Sequence, residues 1–119
     1  MFSKTLLDHF EHPRNAGELP SANARAEVTN PVCGDVLQLA ATIENGAIRE
    51  VRFLCRGCTA SIACASLLTE SIRGRELHTL QSLTPEFLAS AIGGLPSASV
   101  HAAHLACDAL HALLRALPK

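Results

Sequence analysis

Two hydrophobic periods divide the chain. From Ala24 to Cys55 apolar and polar residues roughly alternate, as in strands with one buried face, whereas on either side apolar residues recur at helical spacing. The segments "VLQLAATIE" and "AIREVRFLC" flank Asn45-Gly46, a dipeptide that accepts the positive φ angles of a tight hairpin. "ARAEVTN", just upstream, supplies a third strand. Before the strands, "SKTLLDHFEH" spaces Leu6, Leu7 and Phe10 for one helical face, with Ser3 as N-cap and Pro13 ending the run. After Gly57 the period becomes helical through "TASIACASLLTESI", closed by Gly74. A further helix in "TPEFLASAI" has Thr84 to cap it, Pro85 in its first turn and Gly93-Gly94 to stop it, and a last one runs from about Ala98 to Leu117. Strands followed by helices, with no βαβ alternation, predict an α+β fold: a small three-stranded antiparallel sheet with helices packed on one face, forming a single domain over 1–119.

Composition agrees with one self-supporting core: 119 residues, 48% hydrophobic and 18% charged. A net charge of -1 without a basic cluster, and the lack of Trp and Tyr, argue against nucleic acid as partner. No apolar run approaches a membrane span, and "MFSKTLLDHFEHPRN" carries acid and histidine where a signal peptide needs an apolar stretch, so the expected location is cytoplasmic, with no membrane partner. Five cysteines, an odd number, in a chain of this size point to reduced thiols or metal ligands rather than a disulfide framework.

Three of those cysteines fall in "CRGCTASIAC". Cys58 stands where strand gives way to helix, near unpaired backbone N–H groups and the positive end of the helix dipole, which favour a thiolate for ligation or attack. Cys55, three residues earlier, raises a thioredoxin-like Cys-x-x-Cys. A hairpin strand rather than a βαβ unit enters this helix, however, and alternation puts Cys55 on the face of Val51 and Phe53 as a small apolar residue. Cys64 lies about 240° around the helix from Cys58 and joins Ala60, Leu67 and Leu68 in the core, as Cys107 joins Ala103, Leu110 and Leu114. Cys33-Gly34-Asp35, just before the first hairpin strand, forms either an ordinary turn or a sharp one aiming a thiolate and a carboxylate at one point. His9, His12, His78, His104 and His111 have no ligand-spaced partner and are expected at surface or partly buried polar positions.

Taken together, "DHFEHPRNAGEL", "NPVCGDVLQL", "GCTASIACASLLTE" and "GLPSASVHAAHLACDAL" resemble, in order and over nearly the whole chain, the IscU/NifU N-terminal type of iron-sulfur cluster assembly scaffold. The resemblance implies that Cys33 and Cys58 are cluster thiolates, that Asp35 is the carboxylate that ligates or labilises the cluster, and that His101 is the nearby imidazole. It also implies a [2Fe-2S] cluster as cargo, or Zn2+ in its place on the same Cys33, Asp35, Cys58 and His101. A cysteine desulfurase and recipient apo iron-sulfur proteins are the implied partners, and the expected role is not that of an enzyme. The family's third cysteine, directly after the histidine and commonly the persulfide acceptor, is replaced by Ala102, and its Leu-Pro-Pro-Val-Lys chaperone motif reads "LPSAS", which argues against a dedicated Hsp70 partner. A zinc-bound sulfur acceptor serving a desulfurase, or a regulatory paralogue without assembly activity, are the alternatives that Ala102 leaves open.

Overall fold

In the computed structural model, which describes residues 1–117, the Asn45-Gly46 pair turns the chain with φ of +53° and +75°. It joins two antiparallel strands, β2 (Val36–Glu44) and β3 (Ala47–Arg56), and β1 (Ala24–Thr29) pairs with the other edge of β2, giving the sheet order β1-β2-β3. The register sets Leu39 opposite Phe53 and Leu37 opposite Cys55, and one irregularity near Thr42 and Ile43 leaves Arg49 as the extra residue on β3. Leu37, Leu39, Ala41, Val51 and Phe53 form the buried face, and Arg25, Glu27, Gln38, Arg52 and Leu54 line the other. The sheet therefore has one wet side, as alternation predicts.

Four helices follow the expected positions: α1 (Lys4–Glu11), α2 (Thr59–Ile72), α3 (Pro85–Ala91) and α4 (Val100–Arg115). Ser3 caps α1 by accepting the Leu6 N–H at 3.0 Å, and Thr84 caps α3 by accepting the Phe87 N–H at 3.1 Å. The start of α4 is two residues later than predicted because Ser97–Ser99 form a 3-10 turn, and its end falls at Arg115 rather than Leu117. Leu77–Thr79 add a second 3-10 turn that periodicity did not reveal.

Helix α2 is the centre of the molecule. Ten of its fourteen residues are buried, because it packs against the sheet, α1 and α4 at once. Its polar side chains are thus internal, and they tie down the N-terminus: Ser66 Oγ lies 2.8 Å from His9 Nδ1 and accepts the Arg14 N–H at 2.9 Å, while Thr69 Oγ1 accepts from Asn15 Nδ2 at 3.3 Å. These bonds change the expected face of α1. Leu6 is buried, but Leu7 and Phe10 are more than a third exposed, and His9, expected at a surface or partly buried position, is 3% exposed. The histidine takes the second core position because Ser66 satisfies its ring nitrogen. No helix among the described residues is long and apolar enough to cross a membrane.

Candidate metal centre

Three separate elements deliver the site. The loop from Asn30 to Asp35 closes on itself: Asn30 N–H donates to the Asp35 carbonyl at 2.8 Å, Gly34 N–H to the Asn30 carbonyl at 2.8 Å, and Val32 N–H to the Asn30 side-chain oxygen at 2.9 Å. Gly34 has φ +78°, the left-handed conformation that lets the chain reverse between Cys33 and Asp35. This loop carries Cys33, exposed, and Asp35, 9% exposed. The second element is the N-terminus of α2, where Cys58 occupies the N-cap position, makes no capping bond with its side chain and is exposed. The third is the first turn of α4, which presents a half-buried His101.

The donor atoms converge. One ligand atom from each of Cys33, Asp35 and His101 lies within 4.8 Å of the others. Cys58 Sγ stands 3.7 Å from His101 Nε2, and Asp35 Oδ2 lies 3.9 Å from that nitrogen. Cys33, Asp35 and His101 thus form one cluster, Cys58 adjoins it through His101 and Asp35, and Cys55, Cys64 and Cys107 are not part of it. Cys64 and Cys107 are buried, and Cys55 is half-buried against the core. Burial pushes the Cys55 thiol up to about 11 and the Cys64 thiol up to about 12, and it also raises Cys107, whose Sγ donates to the Leu83 carbonyl at 3.2 Å. None of the three is suited to ligation as a thiolate.

Asp35 is held where a carboxylate is stable. Burial alone would raise its pKa, but donors from Ser61 Oγ at 2.7 Å and the Cys58 N–H at 3.3 Å, together with the Cys58 and Cys33 thiols, outweigh it and hold the carboxyl below the ordinary range. The positive end of α2 acts in the same sense. Ser61 also touches Cys58 Sγ at 3.3 Å, so one hydroxyl orients both a carboxylate and a thiol.

Two residues of this arrangement escape sequence reasoning. Ser61 lies three residues after the N-cap, and only the internal burial of α2 turns its hydroxyl toward Asp35. Gly57 has ordinary φ, yet a Cβ there would lie 2.8 Å from the Asp35 carboxylate, so glycine keeps space for that side chain. Position 102 differs from what adjacency to His101 suggests: Ala102 is completely buried, facing the core.

A sheet with helices on one face and a mixed thiol, carboxylate and imidazole cluster at the meeting point of a loop and two helix N-termini defines a small domain with the donor set of a metal site. The chain belongs to the NifU-like N-terminal domain family, whose model matches residues 1–119. It is 37% identical over 110 residues, 92% of this chain and 72% of the relative, to iron-sulfur cluster assembly scaffold protein IscU 1 of Archaeoglobus fulgidus. With the IscU scaffold protein of Azotobacter vinelandii it shares 35% identity over 118 residues, covering 96% of this chain and 91% of that one. The crystal structure of the N-terminal part of a nitrogen-fixing NifU-like protein from Brucella abortus superposes with a TM-score of 0.76, covering 95% of this chain and 91% of that one at 17% identity, which bears out the fold.

Proposed function

We propose that this protein is an iron-sulfur cluster assembly scaffold that holds a [2Fe-2S] cluster as cargo on Cys33, Cys58, Asp35 and His101 and passes it to apoproteins. The observation that carries the reading is the convergence of these four side chains, in a family whose matched relatives are named as scaffolds. The donor set suits the task. Two soft thiolates bind iron strongly, and a carboxylate and an imidazole complete the site with ligands that exchange more readily. Both thiols are exposed, which suits a cargo that must leave. The same four donors fit tetrahedral Zn2+, so zinc is the alternative occupant.

If sulfur is received from a cysteine desulfurase, the exposed Cys33 or Cys58 is the acceptor. Cys107 is not: its sulfur is buried and already bonded to a carbonyl. A zinc-loaded sulfur acceptor built on the same residues is the second reading, favoured by Ala102 in place of the family's third thiol.

Anaerobic purification of the parent with Cys33→Ala, Cys58→Ala, Cys55→Ala and Cys64→Ala tests the assignment. Visible charge-transfer absorption and bound iron in the parent, lost in the first two variants and retained in the last two, is the expected result. Normal metal content in Cys58→Ala, or loss in Cys55→Ala, overturns it. A colourless parent with one equivalent of zinc replaces the scaffold by the zinc-loaded acceptor. Asp35→Ala is expected to slow transfer of a reconstituted cluster to apo-ferredoxin, since the more exchangeable oxygen ligand is removed.

A further inference from the structure

The sheet has two edges, and the fold treats them differently. On the outer edge of β3, the Phe53 N–H donates to the Asn15 carbonyl at 2.9 Å, the Phe53 carbonyl accepts the Gly17 N–H at 2.9 Å, and the Ile48 N–H donates to the Arg75 carbonyl at 2.9 Å. The segments before β1 and after α2 therefore cover that edge. β1, at the other edge, has no such cover. Its pairing with β2 continues into the Asn30 N–H, which donates to the Asp35 carbonyl at 2.8 Å. The alternation of an antiparallel ladder then turns the main-chain groups of Ala26 and Val28 toward β2 and those of Arg25, Glu27 and Thr29 outward. Among the described residues none of these outward groups has a hydrogen-bond partner, and all three residues are exposed. A bare edge of this kind is a template for another strand.

We propose that the strand that pairs here is β1 of a second copy of this chain, running antiparallel and related by a twofold axis at Ala26. The charges select both the partner and the register. With the axis at Ala26, Arg25 of each copy lies opposite Glu27 of the other, each pair exchanges both of its main-chain bonds, and the two side chains, which stand on the wet face of the sheet, form an ion pair. Ala26 meets its own copy in the intervening pair, where side chains approach most closely and a small one fits. Moving the axis to Glu27 would set the two carboxylates against each other. Moving it to Val28 would face Glu27 with Thr29 and leave Arg25 without an acid.

Both charged groups are already oriented and still have capacity. Arg25 Nη2 donates to the Leu19 carbonyl at 2.9 Å, and Glu27 Oε1 accepts from Gln38 Nε2 at 2.5 Å, which leaves the remaining guanidinium donors and Glu27 Oε2 for the second copy. Neither residue forms an ion pair among the described residues. The pairing joins the sheets of the two copies into one and keeps the metal centres apart. Asn30, where the loop carrying Cys33 and Asp35 begins, lies roughly 27 Å along the strands from its copy, so each centre keeps its own open face and the dimer shares no ligand. The inference does not depend on what the centre binds.

Sedimentation equilibrium of metal-free protein, with reductant and chelator present to prevent disulfide and metal bridging, tests the proposal on the parent, Arg25→Glu, Glu27→Arg and the charge-swapped Arg25→Glu/Glu27→Arg. The substituted side chains are exposed, and far-UV circular dichroism checks retention of fold. The parent is expected to dimerise reversibly between micromolar and millimolar concentration, and less so at high salt. Each single variant places like charges in both pairs and should weaken association at least tenfold. The swap should restore it, and an equimolar mixture of the two single variants should form a heterodimer. A parent that stays monomeric at millimolar concentration, or a dimer indifferent to both single changes, overturns the proposal. A dimer that the single variants lose and that neither the swap nor the mixture regains also overturns it, because a structural defect rather than charge pairing then explains the loss.

Discussion

Asp35 is the residue on which the site turns, and its position depends on neighbours that are not ligands. Gly57→Ala introduces a methyl group 2.8 Å from the carboxylate, so Asp35 must swing away. Ser61→Ala removes the hydroxyl that donates to Asp35 at 2.7 Å and touches Cys58. Each change is expected to weaken zinc binding by roughly 10- to 100-fold, the usual range for groups that orient metal ligands. Competition titration against a chromophoric chelator measures this. Retention of parental affinity in both variants would show that the metal does not use Asp35 in this orientation. Cys33 and Cys58 were legible as candidates because each sits at a junction between elements. Gly57 and Ser61 were not, because their partner is 22 or 26 residues away and nothing in local spacing points to it.

At the scale of elements, the contact between α1 and α2 is held by polar groups inside the core. Ser66 serves both His9 Nδ1 and the Arg14 N–H, so Ser66→Ala leaves buried groups without partners and is expected to cost about 1–3 kcal/mol. Urea denaturation monitored by circular dichroism gives the value. An unchanged midpoint would mean that the Ser66 bonds add nothing to the hold of α2 on the N-terminal segment. The same contact makes stability depend on pH. Burial, then the nearby Arg14 charge, hold the His9 pKa below its ordinary 6.5, so the unfolded chain takes up the proton first as pH falls. The contribution of His9 is fully present above about 6.5 and is lost on the acid side as pH drops toward the lower folded value. His9→Asn should therefore flatten the fall in stability between pH 7 and pH 5 relative to the parent, and parallel curves for the two proteins would refute the assignment. The motif around His9, Arg14 and Asn15 thus works as a clamp for the N-terminus. The apolar pattern of "SKTLLDHFEH" gave the helix correctly but not its buried face, because a satisfied histidine displaced Leu7 and Phe10 from the core.

For the molecule as a whole, the site is a staple across three elements distant in sequence: the loop before β2, the start of α2 and the start of α4. A metal that bridges them in the folded state alone stabilises the fold by mass action, by about 2.7 kcal/mol at a free concentration 100 times the dissociation constant. Addition of zinc to metal-free protein should raise the thermal midpoint, and chelation should reverse it. Cys58→Ala should show no such response. A parent protein whose midpoint ignores zinc would argue that the donors do not meet on one ion.

What the sequence determined by itself is whatever local physics dictates: the hairpin at Asn45-Gly46, the caps at Ser3 and Thr84, the order of strands and helices, and the core seats of Cys64 and Cys107, each set by residues within a few positions of one another. Cys33 and Cys58 stood out by their junction positions, but His101 and the grouping of all four were reached through likeness to a family, since no short-range rule joins Cys33 to His101. Tertiary structure alone decided which groups share space. The packing of α2 on all sides turned Ser61 toward Asp35 and Ser66 toward His9, and it closed Ala102 inside the core. Those outcomes depend on where separate elements meet, and that is fixed by the burial of the whole apolar surface rather than by any one segment.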